Sequence, residues 1–114
     1  IHSQISKQLK KDISVIITDS MTRPYRAGIT NFAIASSNIQ SLIDLKGEED
    51  IFGNKLLATE IAIADELAAA SGLLMGQGND MKPVVIIKGF DRSKYSINNA
   101  FDLIINKDDD LYRF

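Results

Sequence analysis

The chain has no cysteine, which excludes disulfides, thiolate zinc sites and a cysteine nucleophile. Its one histidine, His2, stands at the edge of the sequence, where a general-base or ligand role is not expected. No stretch approaches the ~20 apolar residues of a membrane span. No secretory signal pattern is visible, so a cytoplasmic chain with no membrane partner is expected. A basic excess is also missing: 13 Lys and Arg face 15 Asp and Glu, a net charge of -2. That argues against a nucleic-acid partner, which needs cations to neutralise phosphates. A small anionic ligand stays open, because it needs only local positive charge.

What is there suits a soluble globular protein: 114 residues, 45% hydrophobic and 25% charged, enough for a single domain over 1–114. The sequence opens Ile1-His2 with Ile1, Ile5 and Leu9 already at helical spacing, and so reads as a fragment of something longer. An amphipathic helix is expected over 1–11, closed by Lys10 and Lys11. "DISVIITD" reads as a strand buried on both faces, followed by a loop around Pro24 and a second strand over 29–37. Residues 38–47 fit helix or strand. Residues 48–55 read as a turn or hairpin, with Gly53-Asn54 as its strongest signal.

The longest periodic element is a helix expected over 59–76, with Thr59 as N-cap and Gly76 as stop. Its alanines at 62, 64, 68, 69 and 70 imply close approach of a neighbour, in this chain or another subunit. A turn at Gly78-Asn79-Asp80, a third strand over 83–89, a short helix within 91–106 and a helix start over 107–114 complete the reading. Helices and strands interleave, which makes the class α+β or mixed α/β.

Asp19 is the first candidate for chemistry, a carboxylate placed just past the carboxyl end of a buried strand, where ligands and metals often bind; a plain turn is the competing reading. Arg23 and Arg26 follow, cations whose forks fit phosphate or carboxylate, or else a solvated loop. Glu60 falls at the start of the long helix, where the dipole alone accounts for an acid. With Asp19 it also makes a pair of hard oxygen ligands suited to Mg²⁺ or Mn²⁺. Asp65 and Glu66 are adjacent and point different ways on a helix. "MGQGND" (75–80) matches no phosphate-loop pattern, and Asp108, Asp109 and Asp110 read as a solvated helix start.

Four blocks together, "ITDSMTRPYRAGITNFAIA", "DLKGEEDIFGNKLLATEIAIADELAAASGLLMGQG", "PVVIIKG" and "DDDLYRF", resemble in order and spacing the gamma-glutamyl ligases that extend coenzyme F(420). The resemblance runs from about Val15 onward. It implies an unusual α+β fold forming an intertwined homodimer. It also implies a reaction joining L-glutamate to the deazaflavin coenzyme precursor, with GTP as co-substrate, Mn²⁺ or Mg²⁺, and an acyl-phosphate intermediate. Position by position, it makes Asp19 and Glu60 metal ligands, with Thr59 beside them, and puts Thr22 against the nucleotide. Arg23 and Arg26 would balance phosphate charge, an inference from their charge alone.

The chain departs from the family pattern in three places. Thr22 stands where glycine is usual, and threonine disfavours positive φ. In "AIASSN", Ala35 and Ser36 stand where glycine is expected. Family members are about twice as long. A non-catalytic dimerisation or binding relative, and an amide ligase acting on another carboxylate, are therefore the alternatives to the ligase reading.

Overall fold

The computed structural model describes residues 1–93 and 96–112. Helix α1 spans His2–Leu9 and closes at Lys10, whose φ of 52° turns the chain and whose N–H returns to the Ser6 carbonyl. The His2 ring Nδ1 lies 3.0 Å from the Ser37 hydroxyl, which ties α1 to the far end of the next sheet.

That sheet is an antiparallel hairpin of β1 (Val15–Arg23) and β2 (Arg26–Ser37), joined at Pro24-Tyr25. Proline presets φ for one turn position, and Tyr25 takes φ 55°. Two expectations are corrected here. Strand β1 does not end at Asp19 but runs on to Arg23, because β2 continues to pair with it as far as Arg26. Nor is β1 buried on both faces: exposed Ile17, Asp19 and Met21 alternate with half-buried Ile16, Thr18 and Ser20. A two-stranded hairpin with a helix on one side has a single covered face.

Residues 38–47 contribute only the short strand β3 (Ile43–Asp44), paired antiparallel with β4 (Glu60–Ile61). Between them the expected turn is present. The Asp50 carboxylate accepts from the Phe52 and Asn54 N–H groups at 2.8 Å each, Gly53 donates to the Asp50 carbonyl, and Glu49 bridges Lys55.

Helix α2 spans Ile63–Met75, four residues shorter at its start than expected. Thr59 is not its N-cap, because the Thr59 carbonyl accepts from Leu45 N–H and Glu60-Ile61 lie in the β3–β4 ladder. Residues held extended in a ladder cannot take helical φ and ψ. Ala62 stands at the N-cap without a side-chain cap, and Asp65 and Glu66 supply first-turn charge that favours the helix dipole. Gly76 ends the helix as expected, with φ 74° and its N–H on the Gly72 carbonyl. Ala64, Ala68 and Ser71 form the buried stripe of α2. The small side chains bring α2 down onto β2: a Cβ at Gly72 would sit 3.0 Å from the buried Asn31 amide carbon.

Ile39, Ile43, Ala64, Ala68 and Ala100 make up the buried apolar core. The strand expected over 83–89 is not formed among the described residues; the segment has no regular secondary structure, and Val84 and Ile86 are more than three-quarters exposed. Asn98 takes the place of a pairing strand for part of the chain, accepting from Ser41 N–H and donating to the Leu42 carbonyl at 2.9 Å. A 3₁₀ turn over Ala100–Leu103 follows, capped by Asn99, which is the short helix expected within 91–106. Residues 107–109 form a turn where a helix start was expected; Arg113 and Phe114, at the end of that stretch, lie outside the described residues. No helix among the described residues is long and apolar enough to cross a membrane.

Candidate functional site

Residues directly opposite in an antiparallel pair share a face. Asn31, opposite Ser20, lies under α2, so Ser20 belongs to the covered face. Asp19 pairs with Phe32, one position along, and belongs to the open face. There its carboxylate stands between exposed Ile17 and Met21 and accepts the Ser20 N–H at 2.7 Å.

At the hairpin tip Arg23 and Arg26 are direct cross-strand partners. Arg23 donates to the Ala27 carbonyl at 3.4 Å, and neither arginine pairs with Asp19 among the described residues. Like charges opposite each other destabilise a hairpin, so the tip is a natural seat for an anion. Thr22 is exposed and opposite Ile29. At ~3.3 Å per residue, Thr22 lies about 10 Å and Arg23 about 13 Å along β1 from Asp19. Asp19, Thr22, Arg23 and Arg26 thus fall on one hairpin, within the length of a nucleoside polyphosphate, with Thr22 on the Ser20 side of the sheet and Asp19 on the other.

Glu60 lies elsewhere, in β4 opposite Asp44, not at a helix start. Its Oε1 accepts from Lys46 Nζ at 2.6 Å, and the same ammonium lies 4.0 Å from Asp44. The hydrogen bond to Glu60, followed by the charges around it, raises the Lys46 pKa. Thr59 sits just before Glu60, its carbonyl on Leu45.

Asp19, Glu60 and Thr59 are hard oxygen donors of the kind Mg²⁺ and Mn²⁺ prefer. They do not make a closed site by themselves. Asp19 and Glu60 stand in different sheets, a lysine occupies Glu60, and among the described residues no three of His, Cys, Asp and Glu converge to hold an ion. The donors fit such a cation in kind but not in number.

Three polar contacts were not foreseen. Asp65 Oδ1 accepts the Ala33 N–H of β2 at 2.8 Å, while Glu66 is exposed. Gln77, in the glycine-rich "MGQGND", donates to the Asn31 amide oxygen at 2.6 Å, so that segment locks α2 to β2. Arg92 reaches back to Asp12 Oδ2 at 2.8 Å and Ser14 Oγ at 2.9 Å. The Asn38 amide, and then Arg92, hold the Asp12 carboxyl below its usual range. Sequence did not single out Asp65, because Glu66 is flanked by alanines at helical spacing just as Asp65 is, and only the fold turns Asp65 toward β2.

The molecule is thus a mixed α+β protein that carries a carboxylate and a cationic tip on one hairpin. Its kinship is specific. Residues 1–89 match the family described as F420-0:Gamma-glutamyl ligase. The chain is 43% identical over 113 residues to a Coenzyme F420:L-glutamate ligase of Methanocaldococcus jannaschii, covering 99% of this chain and 45% of the relative. A protein of the same description from Methanococcus maripaludis is 42% identical over 113 residues, again 99% and 45%. One from Methanosarcina mazei is 47% identical over 91 residues, 80% of this chain and 36% of the relative. The chain belongs to the F420-0:gamma-glutamyl ligase family, and it spans less than half the length of these relatives.

Proposed function

We propose that the chain is part of a GTP- and divalent-metal-dependent ligase that joins L-glutamate to the carboxylate of a deazaflavin coenzyme F(420) precursor. The relatives are named as ligases of coenzyme F420 and L-glutamate, and one observation here supports a nucleotide site most directly: the opposed Arg23–Arg26 pair, a cationic tip on the same hairpin as Asp19. The tip suits polyphosphate oxygens.

In the proposed reaction the acceptor carboxylate oxygen takes the γ-phosphoryl group of GTP, releasing GDP and leaving an acyl phosphate. The glutamate amine then attacks the acyl carbon, the C–O bond to phosphate breaks, and inorganic phosphate and a proton leave as the amide forms. Thr22, Arg23 and Arg26 bind and orient the nucleotide, since positioning and charge neutralisation do most of the work of phosphoryl transfer. Asp19 and Glu60, with Thr59, would hold Mn²⁺ or Mg²⁺, which when bound supplies further neutralisation of phosphate charge. Phosphate oxygens would complete the ligand set that these residues leave open. The active species is a homodimer, a reading favoured by the apolar surface left bare on the hairpin and over residues 84–87.

Calorimetry of GDP with and without Mn²⁺ tests this, with Asp19→Ala as control. Mn²⁺-dependent binding that the substitution abolishes supports the ligase reading. GDP binding unaffected by either would overturn the site. A chain that binds neither GDP nor Mn²⁺ as a full-length product favours the non-catalytic relative. Turnover with a different carboxylate in place of the deazaflavin precursor favours the other amide ligase.

A further inference from the structure

The pairing of β1 with β2 is not regular. Ile17 stands opposite Ala35, but the next residue, Thr18, stands opposite Ala33. Ile34 is therefore an extra residue in β2, a β-bulge beside Asp19. Bulges bend the strand and re-aim the side chains that follow.

The consequence for Asp19 follows from the pairing itself. Without the bulge Thr18 would oppose Ile34, Asp19 would oppose Ala33, and Met21 would oppose Asn31. Asn31 is fixed under α2, with Gly72 above it and Gln77 on its amide oxygen. Opposed residues share a face, so Asp19 and Met21 would then turn in toward α2 and Ser20 would turn out. A slip of one residue exchanges the two faces of a strand. The bulge decides that Asp19 looks away from the helix, onto the open side.

One side chain from outside the sheet engages the bulge. Asp65, in the first turn of α2, accepts the Ala33 N–H at 2.8 Å in a half-buried position. Ala33 is the residue next to the extra Ile34, and Asp65 supplies the acceptor for its N–H, tying the bulged segment to α2. We propose that Asp65 is a positioning residue: by holding the bulge at Ala33–Ile34 it fixes the β1–β2 register that presents Asp19 for ligand binding. The link to ligand binding rests on the reading of Asp19 given above; the link to register does not.

The test compares the ¹⁵N-labelled chain with Asp65→Ala and Asp65→Asn by NMR. In Asp65→Ala the Ala33 amide is expected to exchange about ten- to a hundredfold faster, as fits the loss of a hydrogen bond to a charged acceptor. The cross-strand contacts of Thr18 with Ala33 and Asp19 with Phe32 should be lost, and Mn²⁺-induced broadening at Asp19 should need at least about tenfold more metal. Asp65→Asn keeps an oxygen acceptor and should restore all three, a rescue that a charge-only role would not give. Wild-type cross-strand contacts at Asp19 in Asp65→Ala would overturn the proposal. Should Asp65→Ala fail to fold, Asp65→Asn decides: native register supports the proposal, and a lost register despite the retained acceptor overturns it. Should neither variant fold, the wild-type Ala33 amide decides, protection supporting the proposal and free exchange overturning it. Absence of Mn²⁺ broadening in the wild type would remove the metal reading of Asp19 and leave the register measurements to judge Asp65.

Discussion

Arg23 and Arg26 are held opposite each other although neither gains an acidic partner from Asp19. Removing one charge should therefore have opposite effects on stability and on binding. Arg23→Ala is expected to leave the fold unchanged or up to about 1 kcal/mol more stable, the scale of a relieved cross-strand repulsion. It should weaken GDP binding about tenfold or more, the scale of a lost charge-assisted hydrogen bond. Denaturant titration and calorimetry on the same variant read the two effects separately. Two carboxyls, Asp12 and Asp50, set a pH dependence. Asp12 is held low by the Asn38 amide and then Arg92, and Asp50 by the N–H and then the side-chain amide of Asn54. A depressed folded-state pKa contributes stability that is present above the unfolded value, about 3.9, and is lost as pH falls through the folded value. Thermal midpoints measured below pH 4 should fall, and Asp12→Asn and Asp50→Asn should flatten that fall. Lys46 is raised, so its contribution runs the other way, present below about 10.4 and lost as pH climbs above it.

At the scale of elements, the close approach of α2 to β2 is the contact most open to test. Alanine at 72 gains helix propensity of about 1 kcal/mol over glycine, but its Cβ would press the Asn31 amide at 3.0–3.3 Å. Overpacking of that kind costs about 1–3 kcal/mol, so Gly72→Ala should be net destabilising. In an Asn31→Ala background the clash is gone and the same substitution should stabilise. A double-mutant cycle by urea denaturation measures the difference. The same region shows what local pattern could and could not convey. Helix α1, the 48–55 turn and the Gly76 stop were legible, because each depends on residues close in sequence. Thr59-Glu60 has the local chemistry of a helix start, yet strand pairing with Ile43-Asp44 claims it. Asp19 likewise looked like the end of a strand because the apolar run stops there; the ladder continues because β2 supplies partners as far as Arg26. Of the candidate site, Asp19, Thr22, Arg23 and Arg26 share one hairpin, where the local pattern reads as a strand end and a loop. Glu60 and Thr59 stand on another, and the bulge beside Asp19 left no signal in the residue pattern.

At the scale of the molecule, surface dominates. The accessible area is 9033 Å² for 12.6 kDa, against about 6,200 Å² for a compact monomer of that mass. The radius of gyration is 16.0 Å, where about 13 Å is usual. The chain spans less than half the length of the relatives it matches, so the excess, on the order of 2,800 Å², is surface for the rest of the polypeptide, a second subunit or both to cover. Light scattering is expected to find the chain self-associated at micromolar concentration, and Ile86→Lys to shift it toward monomer. A monodisperse monomer with intact secondary structure would count against the dimer.

The unpaired run Val84-Val85-Ile86-Ile87 has the makings of a cross-β zipper, with high β propensity and no charge. It is bracketed by Lys82 and Pro83 on one side and Lys88 on the other. Residues of those types act as gatekeepers that discourage strands from stacking into fibrils. That bracket would let a bare apolar segment stand in water without stacking on copies of itself.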